Sequence, residues 1–331
     1  MYADGSARFP PLAPILGRSD SIIALNRRLP RVARAGKTTL IIGATGTGKE
    51  LVARSLHSLS LRRDRPFVTV HCGAIPDTLV ESELFGHTRG AFTGAREGRA
   101  GLVRAAASGT LFLDEINSLS LAAQARLLRF LDAGEYRPIG SDRCERSDAW
   151  VIAATNRDLS EQTQDDGFRR DLLYRLDVVK LRVPTLHERG GDILVLAEHF
   201  LAEAGGTGMR FSEPARLAML RHVWDGNVRE LRNRVENAVL MADGDLIEPS
   251  DLGLARTRSE PDMEPDHDLS GDLERMLWGL IEREGMTLGG AVQRCERVLL
   301  QEALRAEGGN RTRAAKRLGI HVRTIFKKLA D

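Results

Sequence analysis

Short apolar runs recur through the first half of the chain, at residues 39–42, 66–70, 110–113, 149–154 and 178–183. They show no polar alternation and end at glycine, proline, asparagine or an acidic pair, the pattern of strands buried on both faces. Between them, residues 79–85, 102–107 and 119–131 carry apolar side chains at three- and four-residue spacing, which predicts amphipathic helices. Residues 19–35 read as a capped helix that Pro30 should kink or split. Glycines at 90, 94, 98 and 101 break any regular element there. Strands alternating with helices, each connection long enough for a right-handed crossover, predict an α/β fold with a parallel sheet covered by helices.

From residue 192 the pattern is wholly helical, over 193–204, 213–223 and 228–241, with 243–250 closing a smaller second domain. The stretch around 255–272 is acidic and contains proline, a linker composition. Residues 273–284 and 291–307 are again helical in pattern. The expected organisation is a short disordered N-terminus at 1–14, an α/β domain at 15–185 and a helical subdomain at 186–254. An acidic linker with a helix follows at 255–285, then a terminal domain at 286–331.

With 331 residues the chain can bury more than one core. Its net charge of +2 hides an uneven distribution. Residues 259–274 hold seven acidic side chains and no lysine or arginine, whereas 308–331 hold seven basic side chains against Asp331 alone. Cys72, Cys144 and Cys295 show neither zinc spacing nor a redox pair. Without a membrane-length apolar run or a signal-peptide layout, a reducing cytosol is the expected location.

The chemistry begins where the first strand ends. Gly43, Ala44, Thr45, Gly46, Thr47, Gly48, Lys49 and Glu50 form a glycine-rich turn leading into a helix. Two glycines five positions apart followed by lysine match a phosphate loop, whose backbone N–H groups wrap a polyphosphate while the lysine neutralises it. Glu50 stands where a serine or threonine hydroxyl usually reaches Mg2+, and a carboxylate can approach the metal directly or through water. Asp114 and Glu115 end another strand; we expect Asp114 at the metal and Glu115 activating the attacking water. Taken alone, an acidic pair after a strand is more often a helix N-cap, and Glu115 would be no more than that.

These residues resemble the bacterial sigma-54-dependent transcriptional activators, or enhancer-binding proteins, within the AAA+ P-loop NTPases. The most specific element is GAFTGA, formed by Gly90, Ala91, Phe92, Thr93, Gly94 and Ala95 and preceded by ESELFGH. In the family this loop engages the sigma-54 subunit of RNA polymerase. An aromatic ring and a hydroxyl on a glycine-hinged loop suit a transient protein contact. Without the match, a buried phenylalanine pinning an ordinary surface loop would be the favoured reading.

The resemblance implies further roles. Thr155 and Asn156 match the sensor I pair, and Arg169 and Arg175 match arginine fingers that reach a neighbouring subunit's ATP. Arg229, within WDGNVRELRN, matches sensor II in a helical lid subdomain. His71 replaces the asparagine that restrains the catalytic glutamate, so a bond between His71 and Glu115 is expected to serve as the switch. The run Pro184-Thr185-Leu186-His187-Glu188-Arg189 departs from the family's usual sequence, and Asp225 replaces a proline.

The basic terminus reads as two short helices around Gly319, resembling the Fis-type helix-turn-helix that ends this family. Arg313, Lys316, Arg317, His321, Arg323, Thr324, Lys327 and Lys328 are the candidate DNA contacts. The implied protein is a transcriptional activator that binds an upstream DNA site, assembles as a homo-oligomer, a hexamer, and hydrolyses ATP with Mg2+ to remodel sigma-54 RNA polymerase. It would be cytoplasmic and nucleoid-associated. Most relatives carry a sensory module before the ATPase, so the short N-terminus suggests control by a separate regulatory protein, by expression level or by nucleotide-dependent assembly.

Overall fold

A computed structural model describes residues 15–92, 94–163 and 167–254, together with 287, 297–300, 303, 310, 313, 315 and 317. The chain forms two compact units, Met1–Arg256 and Thr257–Asp331.

The first unit is built on five strands: β1 (Thr39–Ile42), β2 (Phe67–His71), β3 (Thr110–Asp114), β4 (Trp150–Thr155) and β5 (Val179–Arg182). All pair in parallel, in the order β2-β3-β4-β1-β5. Side chains alternate between two cores, which accounts for strands that read as unbroken apolar runs. Leu40, Leu111, Leu113, Val151 and Ala153 face one core. Ile41, Phe112, Trp150, Ile152, Ala154 and Leu181 face the other. Helices α1 (Asp20–Ala35) and α2 (Lys49–Leu59) cover the second face. The first is covered by α3 (Asp77–Phe85), α4 (Leu102–Ala105), α5 (Leu121–Ala133), α6 (Leu159–Gln162) and α7 (Arg170–Leu176).

Pro30 does not split α1, which runs through it as one helix. It lies on the exposed side, where water can replace the missing amide donor. The glycine-rich stretch is also more ordered at its base than its composition suggests. Gly86–His87 pairs antiparallel with Arg99–Ala100, and the Thr88 N–H donates to the Ile139 carbonyl at 2.9 Å. A second small ladder, Glu135–Tyr136 with Glu145–Arg146, has no counterpart in the apolar pattern.

The helical subdomain comprises α8 (Asp192–Glu203), α9 (Glu213–Arg221) and α10 (Asn227–Met241). They enclose Leu186, Ile193, Phe200, Met219, Trp224, Leu231 and Val235. Ser212 caps α9 by accepting from the Ala215 N–H, with Pro214 in the first turn. In the second unit, Arg297–Leu300, Ala303, Arg313, Ala315 and Arg317 are helical. Asn310 Oδ1 accepts from the Arg313 N–H at 3.2 Å, the contact an N-cap side chain makes three residues on. The linker and most of the expected helix-turn-helix lie outside the described residues.

Asp192 anchors the N-terminal segment to the helical subdomain and is 1% exposed. Its carboxylate accepts from the Arg18 and Ser19 N–H groups at 2.6 and 3.0 Å and from Ser19 Oγ at 2.6 Å. Arg189 Nε donates to it at 3.3 Å, while Arg189 Nη2 donates to the Leu16 carbonyl at 2.6 Å. Burial opposes the Asp192 charge, but these hydrogen bonds outweigh it and hold the carboxyl below its ordinary value of 3.8. Removing one partner of a buried pair strands the other. Asp192→Ala should therefore lower unfolding free energy by about 3–5 kcal/mol in denaturant titrations. A depressed carboxyl contributes stability that is complete above its unfolded value and lost as the pH falls through its folded value. The wild type should thus lose stability below about pH 4, and the variant should lose less over the same window.

Candidate functional site

The carboxyl ends of four parallel strands bring the candidate groups together, the usual ligand edge of such a sheet. His71, Asp114 and Thr155 are the last residues of β2, β3 and β4, while β1 runs directly into Gly43. The register places His71 beside Asp114 and Ile42 beside Thr155.

Successive carbonyls of the phosphate loop are engaged from within the protein. Lys49 Nζ donates to Gly43 at 2.9 Å and Ala44 at 3.1 Å. Asn227 Nδ2 donates to Thr45 at 3.0 Å, and the Arg229 N–H donates to Gly46 at 3.2 Å. Thr47 Oγ1 donates to the Ala44 carbonyl at 2.8 Å. The Gly43 N–H donates to the Thr155 carbonyl at 3.2 Å, latching β4 to the loop. Among the described residues, no acceptor meets the amides of Gly46 and Gly48. Both glycines have left-handed backbone, φ 78° and 97°, which turns the chain around the cradle. A Cβ at Gly46 would also collide with the Gly226 carbonyl of the helical subdomain.

Lys49 is 9% exposed, and burial pushes its amine below the ordinary lysine range. The Asp114 and Glu115 carboxylates act against that shift, and the Arg229 guanidinium adds to it. Two cations and two carboxylates therefore share one electrostatic site, although Arg229 comes from the helical subdomain.

Glu115 has left-handed backbone, φ 54° and ψ 47°, uncommon for a residue with a side chain. It makes no side-chain cap to the turn that follows, so the N-cap alternative is not realised. Its carboxylate lies against Gly73, where an added Cβ would collide with it. The expected bond between His71 and Glu115 is absent. His71 Nδ1 instead lies 3.4 Å from Asp114 Oδ2, because the parallel register makes Asp114 its cross-strand neighbour. Glu50 is also engaged away from Asp114. Its Oε1 accepts from Arg54 Nε and Nη2 at 2.9 and 2.6 Å, one helical turn on.

No three His, Cys, Asp or Glu side chains among the described residues lie close enough to hold a metal by themselves. The donor chemistry nevertheless fits Mg2+, which takes one or two carboxylates and completes its shell with phosphate oxygens and water.

Thr155 is fully buried; its Oγ1 donates to Asn117 Oδ1 at 3.0 Å and accepts from the Arg157 N–H at 3.1 Å. Asn156 Nδ2 donates to Thr45 Oγ1 at 3.2 Å. The two finger candidates are exposed and paired with acids. Arg169 forms a two-pronged contact with Asp171 at 3.0 and 2.6 Å, and Arg175 Nε lies 2.9 Å from Asp132. Gln124, buried in α5, fixes the start of α7 by accepting from the Arg169 N–H at 2.8 Å.

In the candidate contact loop, Gly90 and Gly94 have φ of 81° and 106°. The Gly90 N–H donates to the Ala95 carbonyl at 2.8 Å, closing the loop on itself. Phe92 is 39% exposed, its ring 5.0 Å from that of His87. Ala91 rests near Gly140, and Ala95 is buried. Thr93 lies outside the described residues. Among the DNA-contact candidates, Arg313 and Arg317 are helical and exposed, whereas Lys316, His321, Arg323, Thr324, Lys327 and Lys328 lie outside the described residues. No helix among the described residues is long and apolar enough to cross a membrane.

Sequence reasoning gave no role to Asn117, Gln124, Gly73 or Asn227. Only Asn227 lay within a motif already singled out, beside Arg229.

Residues 15–182 match the sigma-54 interaction domain, 187–268 the AAA+ ATPase lid domain, and 291–331 the bacterial regulatory proteins of the Fis family. The nitric oxide reductase transcription regulator NorR2 of Cupriavidus necator is 42% identical over 325 residues, covering 95% of this chain and 62% of that protein. The transcriptional regulatory protein ZraR of Salmonella typhi is 40% identical, covering 96% of this chain and 68% of its own length. The crystal structure of NtrX from Brucella abortus in complex with ATP aligns with a TM-score of 0.66 and 29% identity, over 97% of this chain and 69% of that one. The chain therefore spans about three fifths of the length of NorR2. On these matches the chain belongs to the family of sigma-54-dependent transcriptional activators, with an AAA+ P-loop core, an AAA+ lid and a Fis-type helix-turn-helix.

Proposed function

We propose that the protein hydrolyses ATP as a hexameric ring, docked at an upstream DNA site through its terminal helices, and uses the hydrolysis to remodel the sigma-54 RNA polymerase closed complex. The observation that carries this reading is the phosphate loop, whose carbonyls are held from behind while the Gly46 and Gly48 amides have no acceptor among the described residues, beside Lys49, Asp114, Glu115 and Arg229.

In this reading the loop amides and Lys49 bind the polyphosphate, and Asn156 lies near the terminal phosphate. Asp114 is the carboxylate placed for Mg2+, and Glu50 joins it on leaving Arg54. Held there, Mg2+ would supply positive charge to offset the charge on the phosphates. Glu115 orients the attacking water and takes its proton as the new P–O bond forms. Arg169 and Arg175 leave their acidic partners to stabilise developing charge in a neighbouring protomer's site, an effect worth about 10³–10⁵ in rate.

The route to the polymerase begins at Glu115, against Gly73. Residues Cys72–Ala74 lead towards α3, and α3 runs directly into Gly86 and the Phe92 loop. The Gly90 and Gly94 hinges let the loop change its presentation of Phe92 without unpairing its base. A separate regulatory protein binding the ATPase surface would license or restrain this cycle.

Glu115→Ala should reduce phosphate release at least about a hundredfold and abolish open-complex formation, while leaving ATP and DNA binding intact. Transcriptional activation persisting in that variant would contradict the proposal. Arg169→Ala should be inactive alone, as should Glu115→Ala, yet a mixture should regain measurable hydrolysis because hybrid sites combine an intact Glu115 with an intact finger. Strictly additive activities on mixing would exclude a site shared between protomers.

A further inference from the structure

One side chain joins the phosphate loop to the lid and takes no part in the chemistry above. Asn227 is 4% exposed and opens α10 with φ of 52°. Its Nδ2 donates to the carbonyls of Thr45 at 3.0 Å and Asp225 at 3.2 Å, and its Oδ1 accepts from the Leu186 N–H at 2.9 Å. Thr45 belongs to the phosphate loop, and Leu186 to the segment leading from β5 into the lid. A single amide thus holds the loop, the lid helix and their connection.

The residue type suits this position on two counts. An amide both donates and accepts within one short side chain, and asparagine tolerates left-handed backbone better than most residues. Aspartate would keep the acceptor for Leu186 but turn an oxygen towards the Thr45 carbonyl. Glycine would keep the backbone angle but make neither side-chain bond.

The bond to Thr45 carries directional information. The Thr45–Gly46 peptide is planar and trans, so its carbonyl and its amide point in opposite directions. Asn227 holds the carbonyl end, leaving the Gly46 amide end for a phosphate. The neighbouring peptide is fixed from the same side, since the Gly46 carbonyl accepts from the Arg229 N–H, an amide that no turn of α10 can satisfy.

We propose that Asn227 is a positioning residue that couples nucleotide occupancy of the phosphate loop to the order of the lid and of the β5-to-lid connection. This rests on reading residues 43–49 as the ATP site. Binding at the loop amides fixes the Thr45–Gly46 peptide, and the clamp passes that constraint to Leu186 and the first turn of α10. Without the clamp, the loop can be occupied while the lid stays loose.

Hydrogen exchange of the full chain with and without saturating ADP tests this, using Asn227→Asp and Asn227→Gly. In the wild type, ADP should slow exchange about tenfold or more in the loop and in peptides covering 184–190 and 226–232. Both variants should keep the loop protection, lose most of the lid protection and bind ADP about tenfold more weakly. Asp preserves the Leu186 bond and Gly relieves the backbone angle, so each guards against misfolding of the other. Undiminished lid protection in both variants would overturn the clamp, whereas absence of loop protection in the wild type would overturn the ATP site itself.

Discussion

A loop that offers its amides to a polyphosphate must dispose of its carbonyls, and the rest of this structure depends on how that is done. An unpaired buried backbone carbonyl costs about 1–3 kcal/mol. Here those of Gly43 and Ala44 are satisfied within the loop, by Lys49 and Thr47, whereas those of Thr45 and Gly46 are satisfied by the lid. Half of the cradle is therefore shaped by residues about 180 positions away in sequence. The lid is part of the site before any contact between Arg229 and nucleotide is considered.

The parts legible in the sequence were those set by local pattern. Five apolar runs became five parallel strands, and the glycine spacing with Lys49 marked the loop, because strand burial and positive φ leave direct traces in residue type. What depended on strand order was not legible. His71 faces Asp114 rather than Glu115 because β2 lies beside β3 in this register, a relation between residues 43 positions apart. The two-residue ladders, one at the base of the Phe92 loop and one between Glu135–Tyr136 and Glu145–Arg146, are too short to show a period. Glu50 with Arg54 was visible as an i,i+4 pair, but its place in the phosphate-loop motif drew attention to the metal instead.

The ion pairs fall into two classes, and their energies indicate which can exchange partners. Arg169 with Asp171 and Arg175 with Asp132 are exposed, where a pair contributes about 0–1 kcal/mol and is screened by salt. Such contacts hold an arginine in place without committing it, as a finger that must reach a neighbour requires. Arg189 with Asp192 is buried, and separating it would leave two charges out of water at a cost of several kcal/mol. That pair is framework. It fixes the N-terminal segment against α8 whatever happens at the loop.

The same contrast bears on the Phe92 loop. Its base is held by backbone bonds to Gly86 and Ile139 and by the Glu83–Arg99 pair, while its tip, among the described residues, has a backbone bond from the Ala95 N–H to the Phe92 carbonyl at 3.0 Å, an aromatic contact to His87 and two glycine hinges. An aromatic contact of this kind contributes about 0.5–1.5 kcal/mol, comparable with a single hydrogen bond. Motion of the tip therefore meets little resistance, and motion of the base much more. The glycine hinges lie between a root tied by backbone bonds and an ion pair and a tip tied more lightly, so Phe92 can move without unpairing the base.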